Sequence, residues 1–253
     1  MVSRAMTLDP NLVEATRCLV AFCSTQGGLQ LVSLPCWSDG QALWLAPPSS
    51  DPVAQALTRA PDCAVWIGEA GLVAAGQARV FHAGDPLGLL THFPVIALAL
   101  AGLAIHHSRE IVRPWLPLRL PLAVRLALRD LRAAEPPPSS PGIAPALPEV
   151  VPADIRRSLS GLRDVVVAGR SAAGLNLEHA RWSAGYVLAG DLPALPGHSI
   201  AVAVEASGAG VALSGELDAR GALQPAQVSW WSSTCSGSAP VSPPPRGAVT
   251  LPD

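Results

Sequence analysis

The stretch that decides the fold spans residues 19–68 and reads LVAFCSTQGGLQLVSLPCWSDGQALWLAPPSSDPVAQALTRAPDCAVWIG. Three short apolar or alternating runs in it predict strands at residues 19–24, 29–34 and 42–46. The sequences between them, Gln-Gly-Gly and Ser-Asp-Gly, are typical of tight turns. The pattern predicts an antiparallel β-meander.

The residues on either side complete one lobe. A helix is predicted at residues 51–59, with Asp51 as the N-cap and Pro52 in the first helical position. Apolar runs at residues 63–67 and 72–81 predict two further strands. A short helix capped by Asp9 is expected over residues 11–17, ahead of the meander. The first β-lobe is therefore assigned to residues 1–84.

The composition changes after residue 84. Residues 85–134 are rich in Leu, Ala and Val, with arginines at spacings that suit helix faces, and they predict a helical insert. Within this insert, residues 86–105 carry no charge and match the ~20 residues that cross a bilayer, so a membrane span and a helix buried in protein both stay open. The remaining segments are a Pro-rich linker at 135–152, a second β-lobe at 153–231 and a disordered tail at 232–253.

The second lobe repeats a pattern of the first. GLVAAGQAR at residues 71–79 can be laid over GVALSGELD at residues 210–218, and the two glycines of each segment coincide. Apolar runs precede both segments, at residues 64–67 and 201–204. Trp37 has a rough counterpart in Trp182. The repeat predicts two lobes that arose by internal duplication.

The helix at residues 51–60 has no counterpart in the second copy, where the sequence at residues 191–198 is DLPALPGH. Helix N-termini are ready-made phosphate sites, so only the first lobe is expected to supply one. Any phosphate-bearing ligand is predicted to bind once per chain.

Composition excludes several classes of function. All 17 basic residues are arginine, so no lysine is available for Schiff-base chemistry with pyridoxal. The formal net charge of -2 offers no electrostatic footprint for nucleic acid. Neither the dinucleotide-binding G-x-G-x-x-G motif nor the P-loop motif occurs, so nucleotide hydrolysis is not indicated.

Cysteines and histidines give no sign of a metal site. The five cysteines lack a C-x-x-C pair and are interpreted as reduced, mostly buried thiols. The adjacent His106 and His107 would point in different directions from a helix, so they cannot chelate one metal from a single face. The N-terminus has early charges and lacks the apolar core of a secretory signal, which predicts a cytoplasmic protein.

The stretch at residues 19–68 is similar to the first half of the flavin-binding split barrels of the pyridoxamine 5'-phosphate oxidase-like family. The resemblance implies a mainly β fold, a split β-barrel, with FMN as the cofactor; deazaflavin or no cofactor are the alternatives. It also implies dimer-like packing of two barrels, either between the two lobes of one chain or in a homodimer. A looser likeness to a larger actinobacterial-type branch covers GVAL at residues 210–213, Gly215 and QVSWW at residues 227–231.

The resemblance implies a cofactor site built from three segments. The strand whose backbone lies along the flavin ring is matched by Val32, Ser33, Leu34 and Pro35. The turn that holds the flavin phosphate is matched by Ser49 and Ser50. A late strand near the ring is matched by Gln77.

This chain departs from the family at Asp51 and Pro52, where a cation is usual, and a carboxylate there would repel a phosphate. Arg59 or Arg79 would have to compensate, because a guanidinium can bind phosphate through two hydrogen bonds. Two hypotheses follow. The first is an FMN-dependent oxidoreductase acting on an unknown small molecule, with no catalytic residue assigned. The second is a split-barrel binding or scaffold protein without a cofactor.

Overall fold

The computed structural model describes residues 16–39, 42–45, 47, 52–68, 71–81, 123–172, 174–190, 197–232 and 235–241, with helical positions at 90–91, 94, 96–99 and 101. The first lobe contains β1 Arg17–Cys23, β2 Leu29–Ser38, β3 Leu43–Leu45, α1 Pro52–Arg59, β4 Asp62–Ile67, β5 Leu72–Phe81 and β6 Ala123–Ala133. The second lobe contains α2 Ala153–Ser158, β7 Asp164–Ser171, β8 Gly174–Ala184, β9 Val187–Ala189, β10 Ser199–Ala206, β11 Ala209–Leu217, β12 Leu223–Trp231 and β13 Ser236–Pro240.

The strands of the first lobe form a closed antiparallel barrel in the order β1-β2-β3-β6-β5-β4. Alternate side chains point inward, and Val20, Leu34 and Val65 are buried in its core. Strand β2 pairs with β1 along Leu29–Pro35 and with β3 only from Cys36 to Ser38. The predicted meander and the mainly β split-barrel fold are confirmed, and α1 begins at Pro52 as expected.

The helical prediction for residues 85–134 was wrong over β6, Ala123–Ala133. This strand closes the barrel by pairing with β3 and β5. Asp130 has a φ of 51° and lies at a register shift opposite Ala74, which marks a β-bulge. Because the bulge adds one residue to the strand, Arg129 and Arg132 are three positions apart. This is the spacing of neighbours on a helix face, and it led to the helical prediction.

The other expectations for the ends of this lobe have mixed outcomes. Arg17 opens β1 rather than closing the predicted helix, while residues 11–15 lie outside the described part of the chain. The proposed cap Asp51 and most of residues 86–105 also lie outside it. Among the described residues, no helix has the length and apolarity required to cross a membrane.

The second lobe has the same strand order as the first. Its sheet runs β9-β8-β7-β10-β11-β12-β13, which matches β3-β2-β1-β4-β5-β6 with β13 added at the edge. The ends of this sheet meet where Leu188 N donates to Gly221 O at 3.2 Å and Leu223 N donates to Tyr186 O at 2.9 Å. A bridge between Val187 and Ala222 joins β9 to the start of β12. The second lobe is therefore a partly closed copy of the barrel.

Strand register confirms the repeat read from the sequence. Ala64 pairs with Ala75 and, in the second lobe, Ala201 pairs with Ser214, as the overlay of residues 71–79 on 210–218 requires. Between these equivalent pairs the second lobe has two more residues than the first, but the pairing is the same. The overlay therefore identifies equivalent positions along these strands.

The match of Trp37 to Trp182 was wrong by one position. Ala21 pairs with Leu31 and Ala168 pairs with Leu177, which makes Cys36 the counterpart of Trp182. Cys36 and Trp182 both lie in the core of their own lobe, whereas Trp37 packs on the opposite face of β2. A shift of one residue in a strand exchanges its two faces, and the weak similarity of two tryptophans could not detect it.

The tail prediction was also wrong in part, because Ser236–Pro240 forms β13 on the edge of β12. Residues 242–253 lie outside the described part of the chain. The Pro-rich residues 135–148 form neither helix nor strand and lie along β8. Tyr186 Oη donates to Ala146 O at 3.0 Å and Ile143 N donates to Ser183 O at 3.1 Å, so this segment is held against the second lobe.

The two lobes pack through equivalent faces. A buried apolar cluster joins them, and its members come in matching pairs, which is the arrangement of a two-fold symmetric interface within one chain. Each pair consists of equivalent positions in the two lobes: Leu19 and Val166, Ala21 and Ala168, Leu31 and Leu177, Ala64 and Ala201, Trp66 and Ala203, and Val73 and Ala212. This interface creates the cavities described next.

Candidate functional site

A groove of about 400 Å³ lies between the lobes, where β2 and the start of α1 face β12 and β13. Pockets of ~300–1,000 Å³ hold small molecules and cofactors in proteins. One wall comes from the turn after β1, from β2 and from Pro52 and Val53 of α1. The other comes from Ser214 on β11 and from the exposed faces of β12 and β13. We call this space the interlobe groove.

The first wall offers the unpaired edge of a strand. Cys36 N donates to Thr16 O at 2.9 Å, and in an antiparallel ladder alternate residues point their backbone groups to the same side. The N–H and C=O groups of Leu31 and Ser33 therefore point away from β1. No other strand of the described chain pairs with β2 along Leu29–Pro35. This edge can hydrogen-bond a flat polar ligand.

The second wall is built from one face of a strand. Gln227, Ser229 and Trp231 alternate along β12, and Ser238 and Ser236 lie opposite the last two on β13. The walls meet where Gln30 Nε2 donates to Gln227 Oε1 at 2.7 Å. The face presents hydroxyl and amide groups around one large aromatic ring.

Trp231 lines the interlobe groove and carries an unused hydrogen-bond donor. The side chain is 3% exposed, and its indole N–H has no hydrogen-bond partner among the described residues. A buried donor without a partner costs ~1–3 kcal/mol, so a native structure usually has a use for it. An acceptor atom on a bound ligand would satisfy this donor.

The equivalent groove on the other side of the pseudo-two-fold axis is filled. Strand register makes Arg132 on β6 the counterpart of Ser229 on β12. Arg132 Nη2 donates to Asn176 Oδ1 at 3.1 Å, to Leu177 O at 3.3 Å and to Glu178 Oε1 at 2.8 Å. Leu177 is the counterpart of Leu31, so the guanidinium occupies the strand edge that is open in the interlobe groove. The chain has one open groove of this kind in its described part.

A second cavity, of about 430 Å³, lies on the pseudo-two-fold axis. Its charged groups already have partners within the protein. Arg17 Nε donates to Ser33 Oγ at 3.2 Å, Arg181 Nε lies 2.6 Å from Asp164 Oδ1, and His179 Nδ1 donates to Glu135 O at 2.8 Å. The interlobe groove is therefore the better candidate for a ligand site.

The buried thiols are not suited to nucleophilic chemistry. Burial raises the pKa of Cys63 to about 12. The pKa of Cys18 is also raised, first by a hydrogen bond with Cys36 and then by burial. Since the thiolate is the reactive form, these groups stay protonated and inert at neutral pH. No disulfide forms among the five cysteines, of which Cys235 is exposed.

The sequence-predicted ring contacts lie partly in the interlobe groove. Val32, Ser33 and Leu34 line it. Pro35 is the next residue of β2 and pairs with Arg17. Gln77 is exposed on β5, where its Oε1 accepts a hydrogen bond from Arg129 Nη2 at 3.2 Å, and it does not line the groove. Its assigned role, like that of the others, stays a prediction.

The phosphate end of the predicted site is less complete. Ser49 and Ser50 lie outside the described residues. Arg59 ends α1 and Arg79 lies over the ring of Phe81 at 5.0 Å, and neither lines the interlobe groove. None of the described residues that line it is charged.

Sequence reasoning missed the wall supplied by the second lobe. Ser236 and Ser238 fall in the segment expected to be disordered, and no role in a site was predicted for Trp231. A signal was present, because Gln227, Ser229 and Trp231 alternate with Val228 and Trp230 in QVSWW. Alternation shows that such residues share a face, but not what that face meets.

The residues present fit the ring of a flavin better than its phosphate. The open edge of β2, the indole N–H of Trp231 and the groove volume suit a flat ring with several acceptor atoms. A phosphate would meet no cation among the described lining residues, and the adjoining sequence at residues 46–51 has one carboxylate and no basic residue. The fit is therefore to a flavin-type ring alone.

Comparisons with known proteins add no family assignment. No family model matches the chain, and no curated protein matches it. Solved structures with similarity include the heme storage protein HutZ from Vibrio cholerae, at 13% identity over 51% of this chain and 95% of that one, with a TM-score of 0.38.

Two other solved structures have related descriptions. An FAD-binding protein from Mesorhizobium loti is 16% identical over 52% of this chain and 96% of that one, with a TM-score of 0.37. A pyridoxamine 5'-phosphate oxidase-related, FMN binding protein from Nostoc punctiforme is 14% identical over 50% of this chain and 84% of that one, with a TM-score of 0.35. Similarity at this level carries no argument about function, and the fold assignment rests on strand order.

Proposed function

We propose that the protein binds a flavin-type cofactor in the interlobe groove, one molecule per chain, and acts as an oxidoreductase on a small molecule. The observation that carries the proposal is the buried N–H donor of Trp231, which has no partner among the described residues; Trp231 lines the groove, and so does the open edge of β2. A ring with acceptor atoms on its edges satisfies both walls at once.

Each wall has a distinct task. The backbone groups of Leu31 and the N–H of Ser33 would hydrogen-bond the ring edge, and Trp231 would donate to an acceptor on the other side, while Ser33 O already accepts from Arg17 Nη2 at 3.3 Å. Burial of the ring between these walls excludes water from it and fixes its orientation. Arg132 in the equivalent groove limits binding to one site per chain.

The cofactor supplies the redox chemistry when it is bound, by accepting and passing on electrons or a hydride. The described lining of the groove contains no Asp, Glu, His or Cys that could act as a general acid or base. The protein therefore contributes binding, orientation and a neutral polar environment. A substrate that needs proton transfer would have to exchange the proton with water or with the cofactor.

A second candidate function is that of a split-barrel binding protein without a redox cofactor. It is favoured by the lack of a charged residue in the described lining of the groove. In this case the same groove holds an uncharged ligand that undergoes no chemistry.

The first experiment is an absorption spectrum of the purified protein, followed by titration with riboflavin and identification of any small molecule released on denaturation. A yellow preparation, or uptake of added flavin at one per chain, supports the proposal. Colourless protein that takes up neither riboflavin nor FMN contradicts it and favours the second candidate.

Two matched tryptophan variants connect binding to the groove. We expect Trp231→Phe to weaken flavin binding roughly tenfold, because it removes a buried hydrogen-bond donor worth ~0.5–1.5 kcal/mol along with part of the ring contact. Trp37→Phe removes an indole that does not line the groove and should leave the affinity unchanged. Equal losses in both variants would show that the effect does not come from the groove.

A further inference from the structure

We infer that the ligand of the interlobe groove is an uncharged planar ring with a hydroxylated, unphosphorylated side chain. This inference rests on the proposed function and names the chemical class of its ligand. A riboflavin-like molecule belongs to this class, whereas a flavin nucleotide with a phosphate does not.

The described lining of the interlobe groove is uncharged. The described residues that line the interlobe groove include no Arg, Asp, Glu or His. Along the sequence, no basic residue occurs between Arg17 and Arg59, and Asp51 precedes α1. A phosphate dianion bound here would lose hydration without gaining an ion pair from any described residue, and this loss disfavours its binding.

Arg17 does not supply the missing charge. Its Nε donates to Ser33 Oγ at 3.2 Å and its Nη2 to Ser33 O at 3.3 Å. The side chain lines the cavity on the pseudo-two-fold axis and not the interlobe groove. Its hydrogen bonds to Ser33 hold it on that side of β2.

The groove offers hydroxyl groups in place of charge. Apart from Ser33, whose hydroxyl accepts from Arg17, six hydroxyl-bearing residues line it: Ser24, Thr25, Ser214, Ser229, Ser236 and Ser238. None of these hydroxyls forms a hydrogen bond to another group within the described part of the chain. A hydroxyl both donates and accepts, so a row of them is complementary to the hydroxyls of a polyol chain.

The position of the aromatic wall orients the ligand. Trp231 is buried at the interface end of β12, whereas Gln26 is exposed on the turn after β1. Both line the groove, which therefore has an aromatic part inside and a polar part toward solvent. The ring of an amphipathic ligand belongs at the first and its hydroxylated chain at the second.

The test compares two ligands that differ only in the phosphate. Riboflavin and FMN are each titrated into the purified, ligand-free full chain, with quenching of flavin fluorescence as the readout, at low and high salt. We expect riboflavin to bind at least as tightly as FMN, and its affinity to be independent of ionic strength. Any measurable preference for FMN at either salt concentration overturns the inference and leaves the proposed function standing. Failure of both ligands to bind overturns the two together.

A charge variant provides an internal check. Gln26→Lys places a cation at the exposed end of the groove and should shift the affinity ratio toward FMN by roughly fivefold at low salt. Gln224→Lys adds the same charge on an exposed part of β12 that does not line the groove, and should leave the ratio unchanged. An unchanged ratio in Gln26→Lys, or an equal shift in both variants, contradicts the proposed position of the side chain.

Discussion

The close approach of Trp231 to Gly210 predicts that the shape of the interlobe groove depends on a glycine. The indole of Trp231 lies against the backbone of β11 at this position. A methyl group added at Gly210 would lie 2.7 Å from the indole nitrogen and closer still to two ring carbons. Because Trp231 is 3% exposed and packed in the cluster between the lobes, its ring can move away from Gly210 only by shifting into the interlobe groove that it lines. Gly210→Ala therefore forces a shift of the groove wall.

The cost follows from packing. Adding a methyl group to a well-packed site costs ~1–3 kcal/mol. For a chain of this length, each kcal/mol lowers the Tm by roughly 2–4 °C, so we expect a decrease of roughly 2–12 °C for Gly210→Ala. The smaller conformational entropy of the unfolded Ala variant opposes this by ~0.4–1 kcal/mol, so the clash itself is larger than the net change. Displacement of the indole N–H should also weaken flavin binding.

Thermal unfolding of four variants checks the mechanism. Gly28→Ala is the control, because its added methyl would meet only Ser24 Oγ, at 3.7 Å, and should change stability by less than ~0.5 kcal/mol. In a Trp231→Leu background the indole is gone, so Gly210→Ala should cost much less than it does in the wild-type chain. The reasoning is refuted if Gly210→Ala leaves the Tm unchanged, or if its cost is the same in both backgrounds.

Three further predictions concern other parts of the protein. Arg132→Gln should lower the free energy of unfolding, measured by urea titration, by about 1–2 kcal/mol, because it removes hydrogen bonds between the lobes. The control Arg129→Gln loses one exposed hydrogen bond and should change the free energy of unfolding by less than ~0.5 kcal/mol. Alkylation of the native protein should modify Cys235 and spare Cys63 until the chain unfolds, as read by mass spectrometry; rapid native labelling of Cys63 would contradict its burial. Burial raises the pKa of Cys63 in the folded chain to about 12, above the ordinary thiol value of 9.0. Cys63 therefore stabilises the fold fully below pH 9, and this contribution is lost as the pH rises toward 12, by at most ~1.4 kcal/mol per pH unit. A Cys63→Ala chain should lose stability less steeply over this range.

The sequence predicted the elements whose signals are local. Strands β1, β2, β4 and β5 each combine an apolar run with a turn sequence beside it, and α1 begins with proline. In the turn after β1, Gly27 has a φ of 87°, which glycine adopts without strain. These features require no knowledge of distant parts of the chain.

The elements that were missed depend on distant partners. Strand β6 lies more than 40 residues after β5 in the sequence, and its bulge at Asp130 breaks the alternation that would identify it. Strand β13 consists of small residues and has little apolar surface, so only its pairing with β12 makes it a strand. Composition predicted disorder there because it contains no information about pairing with a distant strand.

The two walls of the candidate site also differ in how far the sequence could predict them. The wall formed by β2 was reached through the resemblance, which depends on a contiguous stretch. The wall formed by β12 and β13 comes from a lobe about 200 positions further along the chain, and only the packing of the lobes brings Gln227 within 2.7 Å of Gln30. A ligand site between two domains cannot be recognised from one of them alone.

The difference between the two grooves follows from a few residues on matching strands. The two lobes share strand order and register, so the symmetric parent of this arrangement would have had two equal grooves. At the position where β12 carries Ser229, β6 carries Arg132, whose guanidinium holds the strand edge at Leu177 and the carboxylate of Glu178. Such a contact stabilises the interface between the lobes and closes one groove. The other groove keeps an open strand edge and an indole without a partner among the described residues. In a symmetric pair, the same surface would serve both interface contacts and the candidate ligand site. In this chain the Arg132 contacts lie on one side of the pseudo-two-fold axis and the interlobe groove lies on the other.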